Sequence, residues 1–124
     1  MAKPQTKNAS KLIRTMQTAG DQFRLFYVTC ENQQKAEIIA STLLNEKLIA
    51  CANIFPPVIA IYPWNGQVEK TSETVMILKT VISSDNENST RLADRLRVLI
   101  GYEIPCLIEI QPNRVNQDYL HWLM

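Results

Sequence analysis

Glycine and cysteine are scarce in this 124-residue chain, at three each, and histidine occurs once. Long apolar runs are missing altogether: none approaches the roughly 20 residues that a membrane-spanning helix needs. The opening MAKPQTKNASKLIRTMQTAG also lacks the apolar centre of a secretory signal, so the expected location is the cytoplasm. The cysteines, Cys30, Cys51 and Cys106, are odd in number and widely spaced, with no CxxC pair. That excludes a disulfide framework and a structural zinc site, and leaves small core hydrophobes in a reducing compartment. Net charge is only +1. Residues 1–22 carry Lys3, Lys7, Lys11 and Arg14 against Asp21, a balance of +3, which leaves the body at −2. A slightly acidic body is poor material for neutralising a phosphate backbone, so nucleic acid is not an expected partner.

What remains is ordinary globular material, with 46% apolar and 20% charged residues, long enough for one core and not two. The division expected is a disordered extension over 1–22 and one domain over 23–124. FRLFYVTC (Phe23–Cys30) reads as a strand buried on both faces. Asn32 caps a helix expected from Gln33 to Lys47, where Ala36, Ile39, Ala40, Leu43 and Leu44 recur at helical spacing. Asn65-Gly66 is a type I′ hairpin signal between Val58–Trp64 and a long return arm, Gln67–Val81. Pro56 and Pro57 lack N–H donors, so a bulge or bend must split Cys51–Phe55 from the rest of the first arm.

SSDNENS is a loop and cap before a second helix from Asn86 to Ile100, with Leu92, Leu96 and Leu99 on its stripe and Gly101 ending it. Pro105 opens CLIEIQP, the last expected strand, and Asn116–Leu123 reads as a short C-terminal helix. The order β-α-β-β-α-β plus a helix is the α+β, ferredoxin-like plan: four antiparallel strands with both helices on one face. The other face then has no cover from its own chain. Hairpin arms this long outrun two short helices, so the hairpin, with Tyr62, Trp64 and the apolar run Val75–Leu78, is expected to be buried against another copy.

The residues also resemble a known family. VTC followed by a helix, then "EKLIACANI", "IYPWNGQVEKTSE", "ILKT", "GYEIP" and a terminal "YLHWL", in order over residues 23–124, are similar to the CutA family of divalent-cation tolerance proteins. The resemblance implies a ferredoxin-like subunit in a homotrimer akin to PII signalling proteins. It also implies a non-enzymatic role in the response to metal ions such as copper, with no cofactor required. The chain departs from the family pattern: Ile100 and Gly101 replace a usual His-Pro, Cys106 replaces a usual Glu, Pro63 precedes Trp64 where Arg is common, and His121 replaces an acid.

A metal site suggested by that resemblance would draw on Cys30, Glu103 and His121. A helix start beside Cys30 would favour the thiolate, and copper accepts thiolate and imidazole. The plainer alternative is a buried Cys30, a structural Glu103 and an exposed His121. Tyr102 and Glu103 are the candidate residues of a subunit cleft, while a structural role holds that Pro105 starts the strand and Glu103 serves loop amides. The runner-up function is a PII-like regulatory module taking a small anion or nucleotide at such clefts. Catalysis has little support: His121 is the only imidazole, and CENQQKA has neither the Gly nor the Arg of an acylphosphatase loop. VMILKT presents no aromatic for stacking on RNA.

Overall fold

The computed structural model describes residues 16–18, 22–82 and 87–124. The elements in chain order are β1 (Met16–Thr18), β2 (Phe23–Cys30), α1 (Gln33–Asn45), β3 (Cys51–Ile54) and β4 (Val58–Trp64). β5 (Gln67–Val81), α2 (Glu87–Ile100), β6 (Leu107–Ile110), β7 (Arg114–Asn116) and α3 (Gln117–Leu123) complete it. The main sheet is antiparallel in the order β3-β5-β2-β6, with β4 pairing the outer half of β5. Beside it, β1 and β7 form a two-stranded ribbon through Met16↔Asn116, Gln17↔Val115 and Thr18↔Arg114. Strand pairing therefore begins earlier in the chain than Phe23. The loop expected over 83–86 and most of the N-terminal extension lie outside the described residues.

Both helices end as their sequences dictate. The Asn32 side chain accepts the Lys35 N–H at 2.8 Å, satisfying one orphan donor at the start of α1. The helix stops at Asn45, two residues before the expected Lys47, because Lys47 turns left-handed with φ 59°. Leu44 leaves the stripe and is 43% exposed, whereas Ala36, Ile39, Ala40 and Leu43 are buried. In α2 the stripe runs Leu92, Leu96, Ile100, all at 0% exposure, with Leu99 partly buried at its flank. Gly101 follows with φ 76°, a conformation cheap only for glycine. These stripes pack with Phe26, Val28, Met76 and Leu78 into the main core on one face of the sheet.

The second face is not bare, as the β-α-β-β-α-β plan alone suggests. The C-terminal segment folds back over one end of it, where Leu120, Leu123 and Val115 join Phe23 and pack on Leu25, Cys51 and Val81. Lys79 Nζ donates to the Tyr119 hydroxyl there at 3.0 Å. A second correction concerns Val75–Leu78: Val75, Met76 and Leu78 are buried within their own chain, at 4%, 0% and 0%. The apolar surface that lacks cover lies further out on the hairpin, at Ile59 (66% exposed), Ile61 (67%) and Val68 (77%).

The hairpin turn has φ 51° at Asn65 and 78° at Gly66, the two positive values of type I′. At Pro56-Pro57 the pairing shifts by one residue, from Ile54↔Met76 to Val58↔Glu73. That is a bulge, placed where two prolines cannot donate to the ladder. Because side chains alternate with period two, a one-residue shift exchanges the faces. Beyond the bulge, Ala60, Tyr62 and Trp64 share a face with Gln67, Glu69, Thr71 and Glu73. Ile59, Ile61 and Val68 take the opposite one.

Candidate functional site

A cleft of about 910 Å³ lies between the hairpin, the end of β2 and the loop that leaves α2. Each wall has a local cause. β2 contributes Tyr27 and Thr29 from the face away from the helices, by simple alternation with Phe26 and Val28. The hairpin contributes Tyr62 and Trp64, aimed there by the proline bulge, and Glu69 and Glu73, which lie on that face by the unbroken alternation of β5. The loop contributes Tyr102, Glu103, Ile104 and Cys106, after Gly101 has turned the chain out of α2.

The loop is held from below. Lys35 Nζ donates to the Ile100 carbonyl at 2.7 Å, tying the start of α1 to the end of α2, and lies 5.9 Å from the centre of the Tyr102 ring. Across the hairpin, the Thr71 hydroxyl reaches the Tyr62 hydroxyl at 3.5 Å. Among the described residues three glutamates line the cleft and no Lys, Arg or His does. Their charge is felt inside: burial first, then the charges of Glu73 and Glu31, push the Tyr102 phenol above its ordinary value. The cleft is thus half-buried, aromatic and electrostatically suited to a cation.

Of the residues singled out from sequence, Tyr102 and Glu103 both line this cleft. Cys30 does not. It sits at 0% exposure in the main core, its thiol directed at the Asn32 carbonyl at 3.5 Å. Burial pushes that thiol up, and the Asn32 hydrogen bond and Lys35 offset this only in part, so the helix start does not favour a thiolate as expected. His121 is exposed on α3, whose Leu120 and Leu123 belong to the second cluster, and does not line the cleft. Among the described residues no group of three or more His, Cys, Asp or Glu is arranged to hold a metal ion, so Cys30, Glu103 and His121 are not brought together. Tyr62 and Trp64, expected as interface anchors, line the cleft wall in the single chain. Sequence reasoning missed Glu69, Glu73 and Tyr27. Their signal was the alternation along β2 and β5, which puts them on the face opposite Phe26, Val28, Met76 and Leu78.

Fold and cleft together define a small mixed α+β protein with an antiparallel sheet, three helices among the described residues, and a cation-favouring cleft beside an overhanging hairpin. The comparisons with known proteins name the group. A family profile described as "CutA1 divalent ion tolerance protein" matches residues 24–124. The divalent-cation tolerance protein CutA of Pyrococcus horikoshii is 39% identical over 100 residues, covering 81% of this chain and 93% of that protein. Protein CutA of mouse is 34% identical over 97 residues, covering 78% of this chain; the chain spans about half (52%) of the mouse protein's length. Among solved structures, CutA1 of Ehrlichia chaffeensis superposes with a TM-score of 0.75 at 30% identity, over 82% of this chain and 92% of that one. CutA of Synechococcus elongatus, at 22% identity, shares the fold with a TM-score of 0.80 over 90% and 94% of the two chains. The chain belongs to the CutA1 divalent ion tolerance family.

Proposed function

We propose that this protein is a non-enzymatic homotrimer of ferredoxin-like subunits that receives divalent metal ions, copper among them, in metal tolerance. The observation that carries the reading is the charge of the cleft: among the described residues three glutamates line it without a single cationic side chain. A hydrated divalent ion gains from that field, whereas a small anion or nucleotide, the PII-like alternative, would be repelled by it. Glu103 belongs to this reading; the buried Cys30 and the distant His121 do not. Cys106 lines the cleft with no imidazole beside it to act as a base, which fits a binding role rather than catalysis.

The trimer has two supports. Ile59, Ile61 and Val68 make an exposed apolar strip on the hairpin face turned from the cleft, and such a strip calls for a partner. Closed rotational symmetry covers every copy of it equally. The family resemblance supplies the number three. Among the described residues no helix is long and apolar enough to cross a membrane. Three cysteines without a disulfide among them favour the cytoplasm, although the related Archaeoglobus fulgidus structure is described as periplasmic.

Sedimentation equilibrium is expected to give one species at three times the 14.2 kDa chain mass, and Ile61→Glu to dissociate it. Calorimetric titration with copper(II) is expected to show binding that Glu103→Gln weakens several-fold. A folded monomer refutes the assembly, and copper affinity indifferent to Glu103→Gln refutes the cleft as the site.

A further inference from the structure

The same cleft carries more than a field, and its further role rests on its being a receiver of cations. Hydrated metal ions have no use for aromatic faces, yet Tyr27, Tyr62, Trp64 and Tyr102 all line it. Ring faces are electron-rich and attract ammonium groups, an attraction that hydrated metal ions do not exploit. Tyr102 already holds one such group, the Lys35 ammonium at 5.9 Å, and that ammonium is otherwise committed to the Ile100 carbonyl.

The carboxylates are spaced as well as clustered. Glu69 stands directly opposite Tyr62 in the β4–β5 register. Glu73 lies four residues further along the same face of β5, and is the carboxylate whose charge acts most strongly on Tyr102. Four residues of strand span ~13 Å. The cleft therefore presents two carboxylates about that far apart, Glu69 with Tyr62 opposite it and Glu73 with Tyr102 in the same lining, and the cross-strand pair Ala60–Thr71 lies between them. One compact ion cannot reach both carboxylates. A chain with an ammonium near each end can, its methylenes lying along the cleft.

We propose that the cleft binds a linear aliphatic polyamine, with one terminal ammonium at Glu69–Tyr62 and the other at Glu73–Tyr102. Affinity then depends on reach: a ligand long enough to engage both pairs gains the second contact within one molecule. A short diamine or a monoamine engages one pair only.

The test titrates the full-length protein with spermidine, putrescine and butylamine, reading heat and Trp64 emission, and in parallel with copper(II). Spermidine is expected to bind at least ten-fold more tightly than putrescine, and putrescine more tightly than butylamine. Glu69→Gln and Tyr62→Leu should each weaken spermidine about ten-fold, Tyr62→Phe should restore it, and circular dichroism should confirm that each variant folds. Equal affinity for the three amines overturns the proposal, as does spermidine binding that ignores both variants. If copper binds with sensitivity to Glu103→Gln while spermidine fails, the polyamine inference falls and the metal reading stands. If spermidine binds as described and copper does not, the reverse holds. Failure of both refutes the cleft as a cation site.

Discussion

Gly66 gives the cleanest test of the hairpin, because its side-chain space and its backbone conformation can be separated. Its φ is +78°, and a Cβ built there meets nothing within 4 Å. Any cost of Gly66→Ala is therefore conformational rather than steric. Holding an L-residue left-handed costs ~1–2 kcal/mol. Against this, alanine restricts the unfolded chain and returns ~0.4–1 kcal/mol. The net loss is about 0.8 kcal/mol at mid-range for Gly66→Ala, with Gly66→Val costing more because β-branching worsens the strain. Gly66→Asn should cost least, since asparagine tolerates this region. At about 4 °C per kcal/mol for a chain of this size, Gly66→Ala lowers Tm by about 3 °C. Thermal melts by circular dichroism must be run at one fixed protein concentration, because assembly of the proposed trimer would make Tm concentration-dependent. Gly101, with φ +76° and equally open space, is the internal control and should respond alike to alanine. Unshifted midpoints for both alanine variants, or asparagine as harmful as valine at Gly66, would refute the reasoning.

Leu96→Ala empties a fully buried position between α2 and the sheet, and urea melts should show a loss of about 2–5 kcal/mol. Iodoacetamide should modify Cys51 and Cys106, which are half-buried, well before Cys30, whose thiol is buried and pushed up; mass spectrometry of peptides gives the order, and early alkylation of Cys30 contradicts it. Arg95 donates two hydrogen bonds of 2.8 Å to the Glu46 carboxylate and holds it below the usual carboxylate range. A group lowered in the folded state stabilises above its unfolded value and loses that contribution as pH falls through its folded one. Urea midpoints of Arg95→Met should therefore approach those of the parent on acidification; a gap that persists at low pH would show that charge is not its cause.

Much of the fold was legible because local signals agreed with one another. β2, β4 and β5 fall on the residues that composition and the Asn65-Gly66 turn marked, since strand propensity, turn chemistry and proline exclusion all pointed the same way. The C-terminal helix was legible as a helix, but its destination was not. Nothing in Tyr119, Leu120 and Leu123 says which surface will bury them, and the choice of the second sheet face depends on Phe23, Leu25 and Val81 being placed there by a distant register. Val75–Leu78 read as surplus apolar surface because the run was not split by alternation: Met76 and Leu78 belong to the core under the helices.

The site was half legible for a sharper reason. Tyr102 and Glu103 stood out because glycine and proline frame a short motif, whereas Glu69 and Glu73 looked like the solvated face of an ordinary ribbon. What separates them from a solvated face is parity. Without the extra residue at Pro56-Pro57, the alternation that places Cys51 and Asn53 opposite Lys79 and Ile77 would continue unchanged along the first arm. Ile59 and Ile61 would then share a face with Glu69 and Glu73, while Tyr62 and Trp64 would join Val68 on the opposite one. The bulge exchanges those sets, so one ribbon presents a cation-favouring wall on one side and an apolar strip on the other. The proposed ligand and the proposed partner thereby fall on opposite faces of the same two strands, and a change made to one face should leave the function of the other intact.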